Sequence, residues 1–259
     1  MTVLLIRLAG PLQSWGSSAR FARRSTENAP TKSGVLGLLA SAEGRSRDSD
    51  LADLAALRFG VRIDQPGSRL RDFQTAHHAG SGKAMPLSER YYLADAVFVA
   101  GVEGESSLIQ RLHQAVQQPY FLPYLGRRSC PPSLPLTMGG PQQGISLEAA
   151  LRAAPWQASP WYIRRLRRTA PRTDGVTAPE SLDLLVDCPA SETPDLQLRD
   201  HPLSFSPRHR QYSLRGVRTG HVTAHAAGNA SPEHDPTVAL RPDTPSGRPM
   251  PPENSPRTH

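Results

Sequence analysis

Residues Thr2–Leu8 form a short apolar run closed by Ala9-Gly10-Pro11, and this opening does most to limit what the chain can become. A run of that length bounded by Gly and Pro predicts a buried β-strand. A polar, basic loop follows from Gln13 to Pro30. Thr31 then stands as the N-cap of a predicted helix, with Val35, Leu36, Leu38 and Leu39 at helical spacing and Gly44 closing the segment. Asp50 caps a second short helix over Leu51–Leu57, and Phe59–Ile63 alternates like a strand. Residues 66–88 are rich in Gly, Arg and His without a clear period, which predicts an arm or flexible hairpin. Arg90–Ala100 predicts one further strand. Glu105–Gln117 predicts an amphipathic helix with Leu108, Leu112, Ala115 and Val116 on one face, stopped by Pro119. The order β-α-(α)-β-arm-β-α predicts an α+β, ferredoxin-like fold, an antiparallel sheet with helices on one face. RNA-recognition motifs share that plan.

Downstream, Tyr120–Pro135 is Pro-rich, Ser146–Ala154 predicts a short helix, and Trp161–Leu166 and Leu182–Val186 predict strands of a smaller β-rich lobe. The expected division is a ferredoxin-like domain over 1–140 with its arm at 66–90, a second lobe over 141–218, and a tail over 219–259. That tail is Pro, Gly, Ser, Thr, His and charge with almost no apolar spacing, which predicts disorder.

The formal net charge is +7 and the sequence pI about 10.0, the usual electrostatic footprint of a nucleic-acid binder. Anionic membranes and acidic partners attract the same charge. Arginine supplies nearly all of it, with few lysines (Lys32, Lys83). Arg forks phosphate and stacks on bases, which favours nucleic acid; a GC-rich genome accounts for the same bias. Cys130 and Cys188 lie far apart and outside any CxxC pair, against a disulfide framework or a four-ligand zinc site. The N-terminal apolar run has no basic region before it and is far too short to span a bilayer, so a cytoplasmic protein with no membrane partner is expected.

Four segments are candidates for function. The helix start Thr31-Lys32-Ser33-Gly34 offers free N–H groups and a positive dipole end to phosphate, although the Walker A spacing is missing. An ordinary capped helix is the competing reading. The loop Gln13-Ser14-Trp15-Gly16 with Arg20, Phe21, Arg23 and Arg24 mixes aromatics with Arg, as a single-strand platform does; Trp15 as a core anchor competes with this. Tyr124-Leu125-Gly126-Arg127-Arg128-Ser129-Cys130 places two arginines after a glycine, fit to clamp phosphate or to sit on a surface turn. The arm carries Arg69, Arg71, His77, His78, Lys83 and Arg90. Adjacent histidines without a nearby carboxylate or thiol make a poor metal site. As general acid and base they would need a second titrating partner that the sequence does not single out. No GxSxG, HExxH, paired-carboxylate or EF-hand pattern is present.

Together, Leu5–Gly16, Pro30–Leu39, Leu70–Thr75 and Pro123–Pro131 resemble the CasD subunits of type I-E CRISPR Cascade, the Cas-five family. The four motifs occur in the family's order over roughly the first 140 residues, while the second lobe matches more loosely. The resemblance implies a ferredoxin-like RAMP domain with a thumb-like arm. It implies a non-catalytic, cofactor-free and metal-free subunit serving antiviral defence. It implies that the subunit caps one end of the complex and grips the 5′ handle of crRNA. The implied partners are the terminal backbone subunit (CasC) and the large subunit (CasA), with target DNA met only through the complex. Carried onto this chain, Gln13, Ser14, Trp15, Gly16, Arg24, Thr31, Lys32, Ser33 and Gly34 would lie near the handle. Tyr124, Arg127 and Arg128 would contact RNA, and Arg71 would sit at the base of the arm. In a related subtype the Cas-five protein cuts the precursor itself, so a metal-independent repeat endoribonuclease using His77 and His78 is the alternative.

Overall fold

The opening apolar run becomes β1 (Thr2–Ala9), which lies inside a seven-stranded sheet with neighbours on both sides. A computed structural model describes residues 1–17, 23–169, 172–173, 176–177, 181–206, 208 and 210–224. After β1 come β2 (Leu12–Gln13), β3 (Arg23–Arg24), α1 (Lys32–Ala42), α2 (Ala52–Ala55) and β4 (Arg58–Gln65). Then follow β5 (Ser68–Gln74), β6 (Ser88–Ala94), β7 (Val97–Gly104), α3 (Ser106–Gln117), β8 (Gln142–Gln143) and α4 (Leu147–Ala153). The described chain finishes with α5 (Pro160–Thr169), β9 (Arg172–Thr173), β10 (Val176–Thr177), β11 (Ser181–Asp187), β12 (Leu196–Ser204) and β13 (Gln211–Thr223).

The main sheet runs β12-β13-β11-β4-β7-β1-β8. Its half from β4 to β8 is threaded β1-α1-β4-β7-α3-β8, a β-α-β-β-α-β path through an antiparallel sheet. β1 pairs with β7 over its whole length, from Thr2 opposite Gly104 to Ala9 opposite Val97. Successive strand side chains point to opposite faces. Leu4, Ile6 and Leu8 therefore join α1 and α3 (Val35, Leu36, Leu39, Ile109, Leu112) in the larger core. Val3 and Leu5 join Leu147, Ala150 and Leu151 of α4 in a second core.

The sequence reading puts helices on one face only; α4 corrects it by covering the other. Close approach is possible because Gly60 and Gly101 lie beneath this helix. A Cβ there would come within 2.8 Å of Leu151 and 2.6 Å of Leu147 respectively. Burial on both faces also explains why β1 reads as a continuous apolar run without alternation.

Four other expectations are revised. Residues 181–223 extend the main sheet instead of forming a lobe of their own. β11 pairs with β4 from Asp183 opposite Ile63 to Val186 opposite Gly60, and its alternating Leu182, Leu184 and Val186 are buried. The expected tail boundary at Thr219 falls inside β13, where Val222 is buried against the sheet; residues 225–259 lie outside the described residues. Trp161–Leu166 belongs to a helix, α5, opened by Pro160 in the first turn, where proline is favourable. Arg90–Ala100 is two strands belonging to different sheets, broken at Asp95 with φ of 56°.

The arm is the hairpin of β5 and β6, paired from Ser68 opposite Ala94 to Gln74 opposite Ser88. β2 and β3 complete its sheet, with β3 running parallel to β6. Among the described residues no helix is long and apolar enough to cross a membrane.

Candidate nucleic-acid interface

The predicted site separates into buried residues that shape the surface and exposed ones that form it. Thr31 caps α1, its hydroxyl accepting from Gly34 N at 3.2 Å. The next free amide is already taken: Lys32 N donates to Asp200 Oδ2 at 2.8 Å. Asp200 is fully buried and also accepts from Arg215 Nε and Nη2, both at 2.8 Å. Lys32 Nζ pairs with Asp187 Oδ2 at 3.0 Å, and Arg215 Nη1 reaches Asp187 Oδ1 at 2.6 Å. A helix N-terminus attracts an anion, and here β12 supplies it from within the chain.

The Gln13–Trp15 loop is equally internal. Gln13 Nε2 donates to the carbonyls of Leu8 (3.0 Å) and Ala96 (2.7 Å), and Trp15 Nε1 donates to Gln13 Oε1 at 3.1 Å. The indole is fully buried and rests on Gly34, where a Cβ would meet it at 2.8 Å. Ser14 Oγ donates to the Tyr91 carbonyl at 3.1 Å. Gln13, Ser14, Trp15, Thr31, Lys32, Ser33 and Gly34 are thus placed as structural residues, because each is buried or filled by an internal partner. Gly16 is exposed; Arg20 and Phe21 lie outside the described residues.

What these residues hold in place is the turn Leu125–Cys130. Ser14 N donates to Leu125 O at 3.1 Å, Leu125 N to Cys130 O at 2.7 Å, and Cys130 N to Arg127 O at 2.9 Å. Gly126 has φ of 83°, and a Cβ there would lie 1.7 Å from the Ser14 carbonyl oxygen, so no other residue fits. Burial pushes the Cys130 thiol above its ordinary value, fitting a core residue and not a reactive one.

The turn delivers Arg127. Its Nη2 donates to the Arg24 carbonyl at 2.8 Å, and its guanidinium lies 4.7 Å from the centre of the Tyr92 ring. Arg127 Nη1 is buried without a hydrogen-bond partner among the described residues, and so is Arg90 Nε. Arg90 sits opposite Arg24 across β3 and β6. Arg128 is exposed beside them in sequence, and Tyr124 is half-buried. Tyr92, the floor under Arg127, is not among the sequence candidates; the Tyr91-Tyr92 pair directly after Arg90 is the available signal.

Strand alternation divides the arm's arginines. Arg24, Arg90, Tyr92 and Asp72 share one face through the pairs Arg24–Arg90 and Asp72–Arg90. Arg23, Arg69, Arg71, Phe73 and Tyr91 share the other. Arg23 lies 5.3 Å above the Tyr91 ring and Arg71 4.7 Å above the Phe73 ring. Arg71 is exposed on β5, yet it is turned away from Arg127, so the two do not form one cluster. At the arm tip His77 bridges to Ala84, and His78 Nδ1 accepts from Ser81 N at 3.3 Å.

The model of the family described as CRISPR-associated protein (Cas_Cas5) matches residues 3–218. The chain belongs to this family. Among its relatives is the CRISPR system Cascade subunit CasD of Escherichia coli (strain K12). That protein is 36% identical over an alignment of 173 positions that covers 59% of this chain and 77% of the relative. A solved structure described as a crystal structure of a Cas protein superposes with a TM-score of 0.63 at 38% identity, covering 85% of this chain and 95% of that one. A chain of a CRISPR RNA-guided surveillance complex superposes with a TM-score of 0.65 at 31% identity, covering 86% and 90%. The family match spans β1 to most of β13, so the Cas5 fold includes the strands that the sequence reading set apart as a second lobe.

Proposed function

We propose that this chain is the Cas-five subunit of a type I-E Cascade surveillance complex and holds the 5′ handle of its crRNA without cutting it. The observation that carries the reading is the pair of buried guanidinium nitrogens, Arg127 Nη1 and Arg90 Nε, that lack an acceptor among the described residues. Buried donors in folded proteins are almost always paired. Phosphate oxygens are the acceptors to which a planar, permanently charged guanidinium is best matched. Arg24 shares the face of Arg90, Arg128 is exposed next to Arg127 in sequence, and Tyr92 fixes the plane of Arg127. The relatives' place in Cascade and in an RNA-guided complex supports RNA as the polyanion; the backbone and large subunits are the neighbours this reading expects.

The test compares labelled RNA with and without the handle, in metal-free buffer. Arg127→Ala combined with Arg128→Ala is expected to weaken handle binding about tenfold or more, since each removes a charge-assisted hydrogen bond. The salt slope should become shallower by about 0.7 for each phosphate that is no longer neutralised. Unchanged affinity and slope would remove both residues from the site. A discrete cut within repeat RNA, abolished by His77→Ala or His78→Ala, would make the protein a processing nuclease instead.

A further inference from the structure

Helix α5 carries the sequence PWYIRRLRRT, four of whose ten residues are arginine and none acidic. Its exposed positions include Trp161, Arg164, Arg165 and Arg168. These fall at i, i+3, i+4 and i+7, a single stripe along the helix. None of the three guanidiniums has a hydrogen bond, an ion pair or a ring contact with any described residue. Trp161 is 43% exposed at the start of the stripe and meets Tyr162 edge-on at 5.8 Å. To one side of the stripe, Tyr162 lines a cleft of about 380 Å³ whose other walls include Ile63, Leu93 and Leu182.

From this geometry we propose that α5 is a second nucleic-acid site, taking a single-stranded segment by its phosphates and one stacked base. Three unpaired cations on a rigid rod favour a polyanion. A membrane-surface helix presents an apolar face outward, whereas Ile163 and Leu166, the aliphatic residues of α5, are half-buried and the exposed stripe is mostly arginine. An acidic protein surface would satisfy the arginines but gives no role to an exposed indole beside guanidiniums. Aromatic and arginine together are what single strands use, rings for bases and guanidiniums for phosphates. The site shares no residue with the Arg127 face and goes beyond handle binding.

The experiment uses the full chain and a short, mixed-sequence, handle-free single-stranded RNA, read by fluorescence anisotropy across a salt series. Replacing Arg164, Arg165 and Arg168 together with Ala is expected to reduce low-salt affinity at least tenfold. It should make the salt slope shallower by about 2, at roughly 0.7 per phosphate. The corresponding triple Lys variant should restore the slope. Trp161→Ala should cost roughly tenfold with the slope unchanged, the effect expected of removing one stacked base. Arg127→Ala should weaken handle RNA binding by the same factor in the unmodified protein and in the triple Ala variant, which separates the two sites. No low-salt binding by the unmodified protein would overturn the proposal. So would a triple Ala variant of unchanged melting temperature, affinity and slope, even if it no longer bound an acidic protein partner.

Discussion

Replacing Asp200 with Ala tests the claim that the chain itself fills the α1 N-terminus. Asp200 is fully buried and accepts three bonds at 2.8 Å, two from Arg215 and one from the Lys32 amide. Removing one partner of a buried ion pair costs about 3–5 kcal/mol, because the remaining charge stays desolvated. Arg215 keeps Asp187 at 2.6 Å, which moves the expectation to the lower end. The Lys32 amide loses its acceptor as well, part of the same loss. About 3 kcal/mol in a domain of this size corresponds to a Tm decrease of about 6–12 °C. Thermal unfolding with and without handle RNA measures it. A loss below about 1 kcal/mol, accompanied by tighter RNA binding, would refute the reasoning. It would mean that the helix end is available to phosphate and that the Asp200 network does not close it.

Two further outcomes follow from local geometry. Gly126→Ala places a Cβ on the Ser14 carbonyl at a positive φ. It should destabilise the protein by at least about 2 kcal/mol and weaken handle binding with it; a variant of normal melting temperature would refute the packing argument. Burial, with the Lys32 charge adding to it, holds the His201 imidazole below its ordinary value of 6.5. The unfolded chain takes up that proton first, so the stability contributed by neutral His201 is complete above pH of about 6.5 and falls as pH drops through it. His201→Gln should flatten the Tm profile between pH of about 7 and 5, and an unaltered slope there would sink the assignment.

The sequence made legible whatever depends on local pattern. β1, the Thr31 cap, the amphipathic α3 and the two arginines after Gly126 all rest on neighbours within a few residues. What stayed hidden depends on distant partners. Lys32 looks like a phosphate ligand until Asp187 and Asp200, more than 150 positions away, are brought to it. Trp15 looks like a stacking platform until Gly34 lets the helix settle on its ring. For α5, the Trp-Tyr-Ile opening suits a strand by propensity, and the helical stripe shows only when the arginines are counted at i, i+3 and i+4. The single apparent strand at 90–100 failed because no Gly or Pro marks Asp95, where the backbone leaves one sheet for another. The two faces of the arm were invisible because the register of β5 on β6 was unknown.

That register has a consequence for how such an arm can change over time. Side chains on paired strands alternate with a period of two, so a shift by one position exchanges every face. Insertion of one residue near Gly67 would move Arg71 and Phe73 to the side of Arg127 and bring Asp72 to the side of Tyr91. Insertion of two would lengthen the hairpin and leave both sides as they are. The arm can therefore grow or shrink gradually only in even steps, and odd steps trade one face for the other in a single event.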